Sequence, residues 1–230
     1  MSQVDFEKHA STGIEEYVLR ARQSIPGRDA IFLIARALFE IKLAENAKIL
    51  VVGAGGGEEI LSLGLPNPGW QFVGVDLTKA MLELAETRFA QKQLPNKVEL
   101  HQTDIRNLDK TDFDAATCIL TLAFVADDGA KLAMLRAIRE RLKSGALFLL
   151  VDGVLEKEDA QFQENVRAWK RHAQNNGMPI ELTEIMVENT LKLPLVTEER
   201  ELELLRGAGF ADARKVFQGI HVNGWLSVCK

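Results

Sequence analysis

The stretch ILVVGAGGGEEIL, Ile49–Leu61, decides how this sequence folds. Four apolar residues make a strand that can be buried on both faces, Gly53, Ala54, Gly55, Gly56 and Gly57 follow, and Glu58 and Glu59 stand where a helix should begin. A glycine-rich turn between a buried strand and a helix lets the backbone approach a ligand closely. The dinucleotide fingerprint G-x-G-x-x-G asks for a third small residue where this chain has Glu58. Glycines at 53, 55 and 57 give G-x-G-x-G instead. Two acids opening the helix would repel a pyrophosphate docked on its N-terminus but would tolerate a cation.

Outward from this turn, apolar runs alternate with amphipathic stretches, the pattern of a parallel sheet covered by helices. The expected strands are Lys48–Val52, Gln71–Val75, Val98–Gln102, Ala115–Leu120 and Ala146–Val151. The turn signals PNPGW, LPNK and KSG precede the second, third and fifth. Thr78 is placed to cap a helix burying Met81, Leu84 and Ala85, and Asp127 or Asp128 to cap one burying Leu132, Leu135, Ile138 and Leu142. Two helices, near Gly13–Gln23 and Arg28–Ile41, flank a turn at Pro26–Gly27. A long helix is expected over Glu156–Ala173, then an irregular stretch to Pro194. Thr197 caps a last helix with Glu198 and Glu199 at its positive end, and two closing strands follow with a turn near Gly219 or Asn223–Gly224.

The 230 residues carry 28 Lys and Arg against 33 Asp and Glu, a formal net charge of −5, and 47% are hydrophobic, enough for a sizeable core. A polyanion partner needs a basic stripe. The one basic cluster, Trp169–His172, reads as a solvated helix face, so nucleic acid is disfavoured. Cys118 and Cys229 are too few for a disulfide framework or a paired-cysteine zinc motif. With no apolar run of ~18 residues and no basic start leading into an apolar run, a cytoplasmic chain without a membrane span is expected, and no metal.

In an open parallel sheet the ligand crevice lies beyond the carboxyl ends of the strands. After the first strand stands the glycine turn, after the second Asp76, after the third Asp104 and Ile105. Asp76 can accept two ribose hydroxyls, each charge-assisted bond contributing roughly 1.5–3 kcal/mol, and Asp104 can take an adenine amino group. A nucleoside with a cationic centre and no phosphate fits this set, and S-adenosylmethionine is such a cofactor.

These residues resemble a class I S-adenosylmethionine-dependent methyltransferase. The resemblance implies a Rossmann-like α/β fold: a seven-stranded, mostly parallel sheet with helices on both faces and an antiparallel last strand. It divides one domain spanning 1–230 into N-terminal helices (1–45), a cofactor-binding core (46–153), a helical insertion or cap (154–196), and the last helix with its closing hairpin (197–230). Val51 stands where the family's first motif usually has an acid. A narrower likeness rests on RQSIPGRDAIFLIARAL (Arg22–Leu38), LTLAF (Leu120–Phe124), VENT (Val187–Thr190) and AGF (Ala208–Phe210). These are similar to the carboxy-S-adenosylmethionine synthase branch, which makes a modified cofactor for transfer-RNA wobble modification. Carried over by position, that likeness implies cofactor contacts at Arg28, Gly53, Ala54, Gly55, Asp76, Leu77, Asp104, Ile105 and Ile119; Met81 and Leu120 complete the expected set. Arg28 stands where that branch has Tyr, Ile119 where it has Asn, and EIMVENT (Glu184–Thr190) lacks the Arg that holds the extra carboxylate. Without that Arg the carboxylate would enter the pocket unpaired, a costly burial, which favours ordinary methyl transfer.

Methyl transfer from a sulfonium needs chiefly alignment, so no catalytic residue can be assigned from a signature. Of the histidines His9, His101, His172 and His221, none is singled out as a base; His101 reads as a sheet residue, and His172 and His221 as solvent-exposed. Arg28 could pair with the methionine carboxylate or with an acidic substrate. Phe162, Val166 and Trp169 form a stripe at helical spacing that suits either a cap over the substrate pocket or a homodimer face. The expected activity is methyl transfer to an O, N or C nucleophile of a small molecule, the alternatives being carboxy-S-adenosylmethionine synthesis and a non-catalytic S-adenosylmethionine-binding module.

Overall fold

The computed structural model describes residues 14–156, 158 and 160–230. Seven strands form one sheet: β1 (Lys48–Val52), β2 (Gln71–Asp76), β3 (Lys97–Gln102), β4 (Phe113–Ile119), β5 (Leu142–Gly153), β6 (Phe210–Gln218) and β7 (Val222–Cys229), in the order β3-β2-β1-β4-β5-β7-β6. The first five run parallel, and β7 is antiparallel to both β5 and β6. The helices among the described residues are α1 (Ile14–Ser24), α2 (Arg28–Glu40), α3 (Glu58–Gly64), α4 (Lys79–Gln91), α5 (Ala130–Glu140), α6 (Phe162–Asn175), α7 (Ile180–Leu191) and α8 (Glu198–Ala208). Two single 3-10 turns lie at Ile105–Asn107 and Leu122–Phe124.

The ILVV run makes β1 central because its alternate side chains feed both cores. Leu50 and Val52 enter the cluster built on Phe113, Phe148, Leu135, Ile138 and Leu205. Ile49 and Val51 enter the one built on Phe39, Phe72, Ile31 and Ile60. A strand with both faces covered must be apolar throughout, and this one is. The chain leaves β1 for β2 on one side and reaches β4 on the other, so β1 lies where the strand order reverses, the place at which open α/β sheets bind ligands.

Some local expectations are corrected, and for the closing hairpin the first of two alternatives holds. The helix expected from Glu156 begins at Phe162, and the stretch read as irregular contains α7. That helix buries only Thr183 and Val187 while Ile180 and Ile185 remain exposed, so its sequence carries too thin an apolar stripe for the period to show. The closing hairpin reverses at Gly219, whose N–H donates to the Val222 carbonyl at 2.7 Å, and Asn223–Gly224 lies inside β7. Gly224 is there for space: a Cβ would stand 2.9 Å from that of Phe217 and 3.3 Å from Val151. Thr78 sits at the N-cap of α4 without a side-chain bond to the helix, whereas Asp76 Oδ1 accepts from its N–H at 2.9 Å. Before α5 the N-cap is Gly129, Asp128 accepts from the Ala130 N–H at 3.1 Å, and Asp127 is taken by Arg200 of α8.

Thr197 caps α8 as expected, accepting from the Arg200 N–H at 3.2 Å. Thr197→Ala should therefore cost about 1 kcal/mol of stability. Thr78→Ala, with no cap bond to lose, should stay within about 0.5 kcal/mol of the parent. Urea titrations of the two variants side by side check the contrast.

Candidate active site

The glycine turn is held open by left-handed backbone at Gly53 (φ 76°), Gly55 (47°) and Gly57 (73°). At Gly53 no other residue fits, because a Cβ would stand 2.0 Å from Thr121 Oγ1 in the loop after β4. The N–H groups of Gly53 and Ala54 both donate to the Val75 carbonyl at the end of β2, at 2.9 and 3.0 Å. Arg88 reaches back from α4 to the Gly56 carbonyl at 2.7 Å. Leu120 is itself left-handed (φ 55°), a conformation costing a side-chain-bearing residue roughly 1–2 kcal/mol. It is held there by its N–H, which donates to the Val151 carbonyl at 2.7 Å. The loops after β1, β2 and β4 thus lock one another at one edge of the sheet.

Most of the expected site residues gather at this edge. Asp76 closes β2; its Oδ2 accepts from the Gly55 N–H at 2.8 Å and its Oδ1 from the Thr78 N–H. Each oxygen keeps a lone pair for a further donor. Leu77 beside it is exposed, Met81 is buried in α4, Ala54 is buried, and Ile119 and Leu120 are half-buried. Asp104 caps the 3-10 turn after β3. It accepts from the Arg106 N–H and forms a bidentate pair with the Arg106 guanidinium at 2.8 and 2.6 Å, which holds its carboxyl below the usual range. Ile105 is buried beneath that turn.

The two acids opening α3 are not left facing a ligand as the sequence suggested. Glu58 pairs with Arg28 Nη1 at 2.5 Å and with Arg22 at 3.6 Å. Glu59 is buried, and burial raises its pKa to about 7, with Thr117 and Arg28 opposing the rise. Arg28 is therefore no surface residue. It is 8% exposed, its guanidinium stands 5.1 Å from the Phe32 ring centroid, and its Nε–H has no protein partner. The free lone pairs of Asp76 suit ribose hydroxyls, and the unpartnered Nε–H of Arg28 suits a carboxylate. On that chemistry the donor set fits S-adenosylmethionine.

Among the histidines, His9 lies outside the described residues and His101 is a strand residue of β3, as expected. His221 is corrected: it lies under Trp169, ring centroids 3.8 Å apart, and burial lowers its pKa to about 4. His172 on α6 is partly covered, with its Nε2 buried and without a hydrogen-bond partner. Among the described residues no group of three or more His, Cys, Asp or Glu could hold a metal ion, and no helix is long and apolar enough to cross a membrane.

Residues 50–148 match the family model described as a methyltransferase domain. These residues run from β1 into β5, and over them the chain is similar to a methyltransferase domain. The chain is 22% identical over 224 residues to carboxy-S-adenosyl-L-methionine synthase of Campylobacter hominis, covering 94% of this chain and 90% of that one. Over 86 residues it is 34% identical to a ubiquinone biosynthesis O-methyltransferase of Alkalilimnicola ehrlichii, about a third of each chain (36% and 33%). In fold it matches a SAM-dependent methyltransferase of Aquifex aeolicus with a TM-score of 0.64, 19% identity and coverage of 98% and 99%.

Beneath the loop after β4 lies a buried charge cluster that the sequence reading missed. Lys131 donates to the Leu122 carbonyl at 2.6 Å, and Asp152 and Glu201 lie close enough to act on its charge. All three are at most 2% exposed. Glu201 Oε2 accepts from Trp225 Nε1 at 2.8 Å, and Asp152 Oδ1 accepts from the Gly153 N–H. The signal was present: Lys131 shares a helical stripe with Leu135 and Ile138, and Glu201 with Leu205 and Ala208, so a charge stands at a core position in each helix. Burial raises Asp152 to about 7 and Glu201 to about 8, and lowers Lys131. The folded chain thus binds protons that the unfolded chain releases near pH 4. Their contribution to stability is full below that pH and is lost as pH rises through 7 to 8. The melting temperature should fall between pH 6 and 8. Glu201→Gln, which keeps an acceptor for Trp225, should fall less over that interval in paired thermal melts.

Proposed function

We propose that this protein transfers a methyl group from S-adenosylmethionine to an O, N or C nucleophile of a small molecule. The observation that carries the reading is Asp76: a carboxylate at the end of β2, beneath the glycine turn, with one acceptor position free on each oxygen. The cofactor supplies a methyl group on an already activated sulfur leaving group. The chain's part is to hold and align. Asp76 would take the two ribose hydroxyls, Arg28 Nε the methionine carboxylate, and the loop at Ile119–Leu120 would lie against the bound nucleoside. Asp104, already engaged by Arg106, would contribute its one remaining acceptor position to the adenine amino group. Alignment of this kind can supply on the order of 7–11 kcal/mol of a barrier.

A second reading is favoured by the end-to-end similarity to proteins named carboxy-S-adenosyl-L-methionine synthase. Against it, α7, which carries EIMVENT, has no arginine, and Arg28 is already paired with Glu58. Mass spectrometry of small molecules released on denaturing the purified protein separates the two. S-adenosylmethionine or S-adenosylhomocysteine supports methyl transfer, and a carboxylated sulfonium supports the synthase reading. Turnover with a panel of acceptors separates an enzyme from a binding module.

Asp76→Ala should weaken S-adenosylmethionine binding at least tenfold, since it strands two hydroxyls without their acceptor. Unchanged affinity by calorimetry in a folded variant would overturn the assignment.

A further inference from the structure

Arg141 follows α5 and is buried, and its guanidinium is spent on backbone carbonyls. Nε and Nη2 donate to the carbonyl of Leu108 at 2.9 and 2.6 Å, Nη2 also to that of Arg106 at 3.2 Å, and Nη1 to that of Ala137 at 2.7 Å. The Ala137 carbonyl belongs to the last turn of α5, where the helix has no N–H left to offer it. The other two close the 3-10 turn at Ile105–Asn107, of which Leu108 is the C-cap. The carbonyl of Arg141 in turn accepts from the Phe113 N–H at 3.1 Å, which ties the residue to the start of β4. Arg141 is thus a strut from the sheet to that turn, and the rigid fork of its donors suits it to hold several acceptors at once.

Asp104 stands at the N-cap of the same turn. Its Oδ1 accepts from both the N–H and the Nε of Arg106, and its Oδ2 from Nη2. A carboxylate oxygen offers two lone pairs, so Oδ1 is filled and Oδ2 keeps one position. On the strand side the chain is fixed by the Thr103 N–H, which donates to the Asp76 carbonyl at 3.1 Å. The direction of the one free position therefore depends on where the Arg106 backbone sits, and Arg141 holds that backbone by its carbonyl. A hydrogen bond weakens steeply as it bends, so a single acceptor position is sensitive to a small tilt of the turn.

We propose that Arg141 is a positioning residue for base recognition: by holding the carbonyls of Arg106 and Leu108 it aims the free position of Asp104 at the amino group of adenine. The proposal rests on the reading in which Asp104 takes that amino group, and deepens it by naming what sets the preference for adenine over hypoxanthine. Hypoxanthine carries a carbonyl oxygen where adenine carries the amino group. It offers Asp104 no donor there, and its oxygen would face a carboxylate already held as an anion by Arg106. Arg141 acts through the turn and not on the ligand, so its loss should blunt the choice of base without touching the ribose contacts at Asp76.

The test is calorimetry on the full chain with S-adenosylhomocysteine and with S-inosylhomocysteine, which differ in whether the base carries the amino or the carbonyl group. The wild type should bind the adenosyl compound at least tenfold more tightly, and Asp104→Ala should remove that preference. Arg141→Met, which donates nothing, should reduce the preference to about threefold or less through lost affinity for the adenosyl compound, with S-inosylhomocysteine affinity within twofold of the wild type. Arg141→Lys, which can still donate to part of the carbonyl set, should show an intermediate preference and serves if Arg141→Met fails to fold. A folded Arg141→Met that keeps the full preference, an equal loss of affinity for both compounds, or an Arg141→Lys with the wild-type preference would each overturn the proposal. No preference in the wild type, or one that persists in Asp104→Ala, would overturn the adenine contact at Asp104 and the proposal with it.

Discussion

The close approach of Gly53 to Thr121 is the constraint on which the rest of the site depends. A side chain at Gly53 would occupy the volume of the Thr121 hydroxyl, so the loop after β4 packs against the turn after β1 only because that turn begins with glycine. This contact brings two loops from adjacent parallel strands to one edge. The Val75 carbonyl, accepting from both Gly53 and Ala54, adds the end of β2. Asp76 then grips Gly55 from below. Three strand ends become one rigid rim, which is what a reaction governed by alignment needs.

The carboxylates around this rim divide by what holds them. Asp76 accepts only backbone N–H groups and keeps acceptor capacity for a ligand. Asp104 and Glu58 are drawn into pairs with Arg106 and Arg28. Glu59 is turned into the core. The sequence singles out Asp76 and Asp104 as ligand contacts and leaves Glu58 and Glu59 at the helix start, and it is the pairing with Arg106 that sets Asp104 apart from Asp76. Arg28 shows the same effect from the cationic side: expected to meet a ligand carboxylate, it is the buried partner of a glutamate thirty positions away, and its buried Nε–H has no partner.

The buried Lys131, Asp152 and Glu201 stabilise the underside of the β4 loop at a cost. Three ionisable groups out of water are tolerated because protonation lowers their net charge and because Lys131, Trp225 and the Gly153 amide occupy part of their hydrogen-bonding capacity. They bring Lys131 of α5 and Glu201 of α8 to Asp152 near the carboxyl end of β5.

The sequence by itself determined the parallel core, the order of its strands, the glycine turn and the acids after β2 and β3, because each is a local signal: an apolar run, a φ that only glycine adopts freely, a turn residue at a fixed offset; it misplaced the start of β5, which begins at Leu142 and takes in the Lys143–Gly145 turn signal. It also marked the last helix through Thr197 and the antiparallel closing strands. It could not determine α7, whose buried stripe is two residues, nor whether Gly224 turned the chain or made room for Phe217. Tertiary structure alone decided that Glu58 and Glu59 turn away from the ligand edge, that Arg28 is buried, and that His221 lies under Trp169 with an unpaired nitrogen. Charge pairing and ring stacking join residues far apart in the chain, and no periodicity along a single segment records which partner a side chain will meet.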